Sequence, residues 1–175
     1  MDCLDNYREL VTRVDDLCST TVAAFHSYLE CRPGCDSCCR HLSLFRVEGE
    51  ALAAALHELP TGQAAKIREK AAAATPDGPC PLLEEGRCLL YEARPIICRT
   101  HGLPLLISHD NGSQVDFCPL NFRGLSSLPG SAVIDLDRLN AALAAVNALF
   151  ISGPSNSRPG DAERLTMAKA LQLNT

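Results

Sequence analysis

Cys31-Arg32-Pro33-Gly34-Cys35-Asp36-Ser37-Cys38-Cys39 decides how the rest of the chain is read. It carries four thiols in nine residues, with a Pro-Gly pair folding the backbone between the first two. Core packing has no use for thiols at that density. Soft metals do, because thiolate is the ligand that selects zinc, copper(I) and iron–sulfur clusters. Short Cys spacings converge on one point through tight turns.

Outward from this stretch, a second cysteine group follows at Cys80, Cys88, Cys98 and Cys118. Cys80 and Cys88 flank a turn containing Gly86, and Arg94-Pro95 sets a new direction before a helical turn that carries Cys98. Asp110-Asn111-Gly112-Ser113 lies between apolar runs at 103–109 and 114–117. Asn-Gly in that setting predicts a hairpin, and its returning strand delivers Cys118. Cys3 and Cys18 complete the ten cysteines. Cys18 falls on a helical apolar stripe and reads as a small core residue; Cys3 sits near a helix end and reads as incidental.

An even cysteine count invites disulfides. The N-terminus, Met1-Asp2-Cys3-Leu4-Asp5, has neither the basic start nor the apolar run of a secretory signal. The expected location is therefore cytoplasmic, where thiols stay reduced and dense cysteines signal metal or catalysis. No stretch approaches the roughly 20 apolar residues of a membrane span. A net charge of -5 with scattered Lys and Arg offers no basic stripe for nucleic acid. The expected partner is a protein of unknown identity.

The flanks read as helices. Leu4, Tyr7, Val11, Val14, Cys18, Val22, Phe25 and Leu29 recur at spacings of three and four and predict one helix over 3–30. Leu42 to Val47 reads as a short extended piece. Shorter helices are predicted over 48–59 and 63–74, with breaks at Pro60-Thr61-Gly62 and Pro76-Asp77-Gly78-Pro79. Leu136, Leu139, Leu143, Val146 and Phe150 predict a helix after Asp135, a good N-cap. Residues 153–160 read as a linker and 161–173 as a closing helix. The expected fold is mainly α with two or three short β-strands. It forms one domain over 1–175, in which an irregular cysteine-ligated core at 31–118 is flanked by helices at 1–30 and 131–175.

The candidate metal ligands are Cys31, Cys35, Cys38, Cys39, Cys80, Cys88, Cys98 and Cys118. They allow two four-thiolate sites, one four-Cys cluster with the others packing, or a larger centre. Side chains of neighbouring residues diverge, so Cys38 and Cys39 rarely share one ion but can reach different irons of a cluster or different sites. That favours an iron–sulfur cluster, with a zinc or iron ion as the alternative. Arg94, Arg99 and His101 are candidate cofactor-binding residues that donate to thiolate rather than to metal. His41 and His101 are also weighed as ligands; His26 and His57 read as surface residues. Cys31-x3-Cys35-x2-Cys38 matches the radical S-adenosylmethionine spacing, but those enzymes need a strand–helix barrel that 175 residues of this pattern do not supply.

The ordered motifs resemble the cysteine-cluster (YkgJ-like) family, a zinc- or iron-chelating domain. They are Cys31, Cys35, Cys38 and Cys39, then Cys80-Pro81, Gly86-Arg87-Cys88, Tyr91 to Arg99, and Cys118. The upstream gap is three residues where the short form of the family name has two. The resemblance implies metal binding. Flagellin lysine N-methylases look related through the same pattern, which raises an enzymatic alternative of the protein-methylation type, but this chain is much shorter. The functional expectation is a metalloprotein with a redox or electron-transfer role. The alternatives are that modifying enzyme and a structural zinc module for protein contacts.

Overall fold

The computed structural model describes residues 3–32, 34–153 and 164–173. Helix α1 spans Asp5–Phe25 and tightens into a 3-10 turn at His26–Tyr28 before the chain becomes extended at Leu29. The helix is therefore shorter than the 3–30 expected. Its buried face runs through Tyr7, Val14, Cys18 and Thr21, whereas Val22 is 43% exposed. Each step of four residues overshoots a full turn by about 40°. After the step from Val14 to Cys18, a second step of four would leave the face, and a step of three returns to it.

Helix α2 (Arg46–His57) begins two residues before the predicted start, because Glu48 organises its first turn. Glu48 Oε2 accepts the Phe45 N–H at 3.0 Å. Its other oxygen accepts the Ile96 N–H at 3.1 Å, at the start of α4 (Ile96–Thr100). One buried carboxylate thus fastens the frame to the helical turn that carries Cys98. Helix α3 covers Thr61–Ala72, and α5 covers Leu136–Ile151 with Asp135 capping Arg138 N at 3.0 Å, as its sequence predicts.

Strands are more numerous than the two or three expected. The described residues contain seven, five of them only two residues long. β1 (Ser43–Leu44) pairs antiparallel with β7 (Leu165–Thr166), and β2 (Leu83–Glu84) with β3 (Arg87–Cys88). β4 (Leu105–His109) forms the predicted hairpin with β5 (Gly112–Asp116), and β6 (Ile134–Asp135) joins β4 in parallel. His109 pairs with Gly112, so the turn residues are Asp110 and Asn111. The expected closing helix is corrected over its described part: β7 leads into a single turn, α6 (Met167–Ala170), capped where Thr166 Oγ1 accepts Lys169 N at 3.2 Å. A strand wins there because residues 165–166 find an unpaired edge at β1. The linker expected at 153–160 lies, beyond Gly153, outside the described residues.

Two apolar cores result. The first joins α1 to α5 through Tyr7, Val14, Leu143 and Phe150, with Val47, Ile96, Leu103 and Phe122. The second joins α2, α3 and α6 through Leu52, Leu56, Ile67, Met167 and Leu171, with Leu44 and Leu82. Helix α2 contributes to both, and the cysteine-bearing segments lie against both.

Candidate metal centre

The cysteine loop is held by backbone turns at its ends. Cys35 N donates to Arg32 O (2.9 Å), and Cys39 N donates to Asp36 O (2.8 Å). Gly34, at φ +93°, donates its N–H to Gly86 O at 3.1 Å. Gly86 occupies the β2–β3 turn, where Glu85 and Gly86 both take positive φ, the geometry of a two-residue hairpin turn. The two turns nearly touch: a Cβ on Gly86 would lie 2.9 Å from Gly34 Cα. Beyond the loop, Arg40 bridges Pro79, and Cys80 N donates to Cys39 O at 3.1 Å. Leu83 N donates to Cys80 O and pairs with Cys88 across the hairpin. Cys39, Cys80 and Cys88 are thereby gathered by backbone pairing alone.

Cys98 sits in the first turn of α4, its N–H bonded to Pro95 O at 3.0 Å. The chain then turns at Gly102, whose φ of +85° suits glycine. A Cβ there would lie 3.3 Å from Cys31 Sγ, 3.4 Å from Cys118 Cβ and 3.1 Å from Asn121 Nδ2. The missing side chain at Gly102 leaves room for both Cys31 and Cys118 to lie close to it.

Seven of the eight predicted ligands (Cys31, Cys35, Cys38, Cys39, Cys80, Cys88 and Cys98) line one cavity of about 580 Å³. Cys118 is not part of that wall; it lies close to Gly102, as Cys31 does. Cys3 and Cys18 are not among its walls; Cys18 is buried in the first core. No three Cys, His, Asp or Glu side chains among the described residues stand in ready ligand geometry; the thiols are spread around the wall. Burial raises the pKa of five of them, Cys38, Cys39, Cys80, Cys88 and Cys98. It pushes Cys98 up to about 12, reinforced by the charges of Cys80, Cys88 and Cys39 and opposed by Arg94. Cys39 is pushed up to about 11 by burial, then by Cys38, Cys80 and Cys88. Cys38 is raised by burial, then by Cys31 and Cys35. Cys80 and Cys88 are raised by burial too. The donor set is all sulfur and suits a thiophilic metal, whose binding would displace the thiol protons.

The arginines divide. Arg94 lines the cavity, stacks 3.5 Å over the Tyr91 ring, and opposes the rise of Cys88 and Cys98. Arg99 is absent from the wall. Its guanidinium is bonded to Asp15 Oδ2 (2.6 Å), to Arg94 O (2.7 Å) and to Glu92 O, and so locks α4 to α1. His101 lines the cavity, but His41 does not. His41 Nδ1 faces Thr75 O at 2.9 Å while Nε2 accepts the Ala168 N–H at 3.1 Å, so this ring joins three segments of backbone.

Asn121 is the residue that sequence reasoning missed. It is 1% exposed. Its Nδ2 donates to Cys31 Sγ (3.3 Å) and Gly102 O (2.8 Å), and its Oδ1 accepts Glu30 N (2.9 Å). Next to it Phe122 takes φ +57°, secured by its N–H to Tyr28 O at 2.7 Å and by edge contacts with Phe25 and Phe117. The only clue in the sequence is a polar residue three positions after Cys118.

The family model CxxCxxCC, described as "Putative zinc- or iron-chelating domain", matches residues 30–119. The chain belongs to the CxxCxxCC family. The matched segment holds all eight candidate ligands and leaves out Cys3 and Cys18. No curated protein and no solved structure matches the chain. Zinc or iron chelation is thus the function that the CxxCxxCC membership supports. No helix among the described residues is long and apolar enough to cross a membrane.

Proposed function

We propose that the cysteines hold an iron–sulfur centre and that the protein transfers electrons to a protein partner. The observation that carries this reading is the cavity wall: seven thiols, more than one four-coordinate ion takes, around a space of about 580 Å³. An iron–sulfur centre supplies one-electron transfer when bound. The chain's own residues supply the rest. Thiolates anchor the centre, Arg94 offsets their negative charge, and Asn121 orients Cys31 by donating to its sulfur. Cys31 and Cys38 are exposed, so one side of the wall faces an approaching partner while Cys98 lies deeper.

Metal and acid-labile sulfide analysis of protein purified without oxygen tests this. The expected result is iron with sulfide and a visible absorption that reductant bleaches. A colourless protein carrying stoichiometric zinc overturns the redox reading and leaves a structural zinc protein, since zinc has no redox chemistry.

A further inference from the structure

Cys31 is exposed, and it stands in a stretch, Glu30 to Ser43, where no described residue is buried. Apolar packing gives its sulfur little support. One buried amide supplies it instead. Asn121 is 1% exposed and lies beyond the segment that matches the family. Its Nδ2 stands 3.3 Å from Cys31 Sγ and 2.8 Å from Gly102 O, while its Oδ1 stands 2.9 Å from Glu30 N. The two backbone partners fix which end of the amide is which. Glu30 N–H needs an acceptor and Gly102 O needs a donor, so a flipped amide would lose both bonds. One Nδ2 hydrogen goes to Gly102 O, and the second is left for the sulfur. Oδ1 is farther from that sulfur, at 3.7 Å, so Cys31 meets the donor end.

Asn121 is itself seated by backbone bonds. Its N–H donates to Cys118 O at 2.9 Å, Cys118 N donates to Gly102 O at 3.4 Å, and Phe122 N donates to Tyr28 O at 2.7 Å. The segment after α1, the loop after α4 and the turn after Cys118 therefore meet at this amide. We propose that Asn121 is a positioning residue for metal capture: it holds the Cys31 sulfur at the cavity wall as a pre-placed ligand and donates an N–H to it in the loaded protein. A ligand already in place loses less freedom on binding. Partners of this kind contribute about 10–100-fold to metal affinity. The proposal rests on the reading that Cys31 binds metal, but not on which metal it binds.

The test uses the full-length reduced chain and cadmium-113, a soft ion that takes thiolates and whose nuclear spin couples to a proton donated to a ligating sulfur. The Asn121 side-chain amide resonances should shift on loading, and one of its protons should couple to the metal. Unmoved resonances in a chain that has bound cadmium would overturn the proposal. This arm is read on the wild-type chain, so it does not depend on a variant folding. Cadmium affinities supply the second arm. Asn121→Ala should weaken binding about 10–100-fold. In a Cys31→Ala background the same change should cost less than about threefold, because the contact it removes is already gone. Equal losses in both backgrounds would show that Asn121 acts on the fold alone. Wild-type affinity in Cys31→Ala would take Cys31 out of the ligand set. Either result defeats the proposal and leaves metal binding standing. A chain that develops no thiolate-to-cadmium absorption at all would sink the metal reading, and this proposal with it.

Discussion

The cysteine loop and the helix that follows it are built on different physics. From Glu30 to Ser43 no described residue is buried. Over the next stretch, α2 buries Val47, Glu48, Gly49, Leu52, Ala53 and Leu56. Apolar burial contributes about 25 cal/mol per Å², so it consolidates α2 and gives the loop very little. The loop is held at a few backbone contacts, chiefly Gly34 to Gly86 and Cys39 to Cys80. A frame of this kind folds by burial, while the loop depends on what its thiols bind.

Metal removal should test that contrast most strongly. Thiolate metal sites contribute on the order of 10 kcal/mol in small peptides. Chelation should therefore speed hydrogen exchange by orders of magnitude across 31–41 and 79–90, while α1, α2 and α5 stay protected. Equal loss of protection in all five segments would erase the distinction between the two regions.

Glu48→Ala should come next, because it strands the Phe45 and Ile96 N–H groups in the interior. The expected cost is about 2–4 kcal/mol in urea unfolding. A cost below about 1 kcal/mol would mean the carboxylate does not fasten the frame to α4. Burial holds the Glu48 carboxyl above its ordinary range. Its folded value thus exceeds its unfolded one, so its contribution is full below the unfolded value and declines as pH rises through the folded one. Glu48→Gln should flatten that part of the stability–pH curve.

Gly86→Ala sharpens the contrast from the loop side. The new methyl meets Gly34 Cα at 2.9 Å, on a backbone at φ +72°. It should lower stability by about 1–2 kcal/mol and weaken metal retention, with helical circular dichroism unchanged. Loss of helix signal would show that loop and frame are one cooperative unit. The smallest effect belongs to Leu149→Gln, on a frame residue that is 61% exposed; thermal unfolding should register a change within about 0.5 kcal/mol.

Much of the frame was legible because helical periodicity is local. The stripes of α1 and α5 and the cap at Asp135 follow from spacing. The exceptions arise where distant segments decide. Glu48 moves the start of α2 by bonding Phe45 and reaching Ile96, 48 residues away. Residues 165–166 become a strand because β1 is there to pair with. At the site, the candidate thiols could be named from the sequence, but their grouping depends on which backbones pair. Asn121 lies 90 residues from the sulfur it contacts, so no spacing rule could reveal it. Arg99 and His41 looked suited to the metal centre by proximity in sequence, yet fold contacts engage both.

The pairing of β7 with β1 makes the last described segment resemble a bound peptide. Met167 N donates to Leu42 O at 2.8 Å, Arg164 reaches the Ser43 carbonyl, and Met167, Ala170 and Leu171 are almost wholly enclosed. Covalent linkage to α5 raises the segment's effective concentration at β1. Supplied in trans, a synthetic 164–173 peptide should therefore rebind a chain ending at residue 153. Because Leu42 and Met167 also line the thiol cavity, such a two-piece protein would serve as a split reporter, in which fragment association reads out the state of the cysteines.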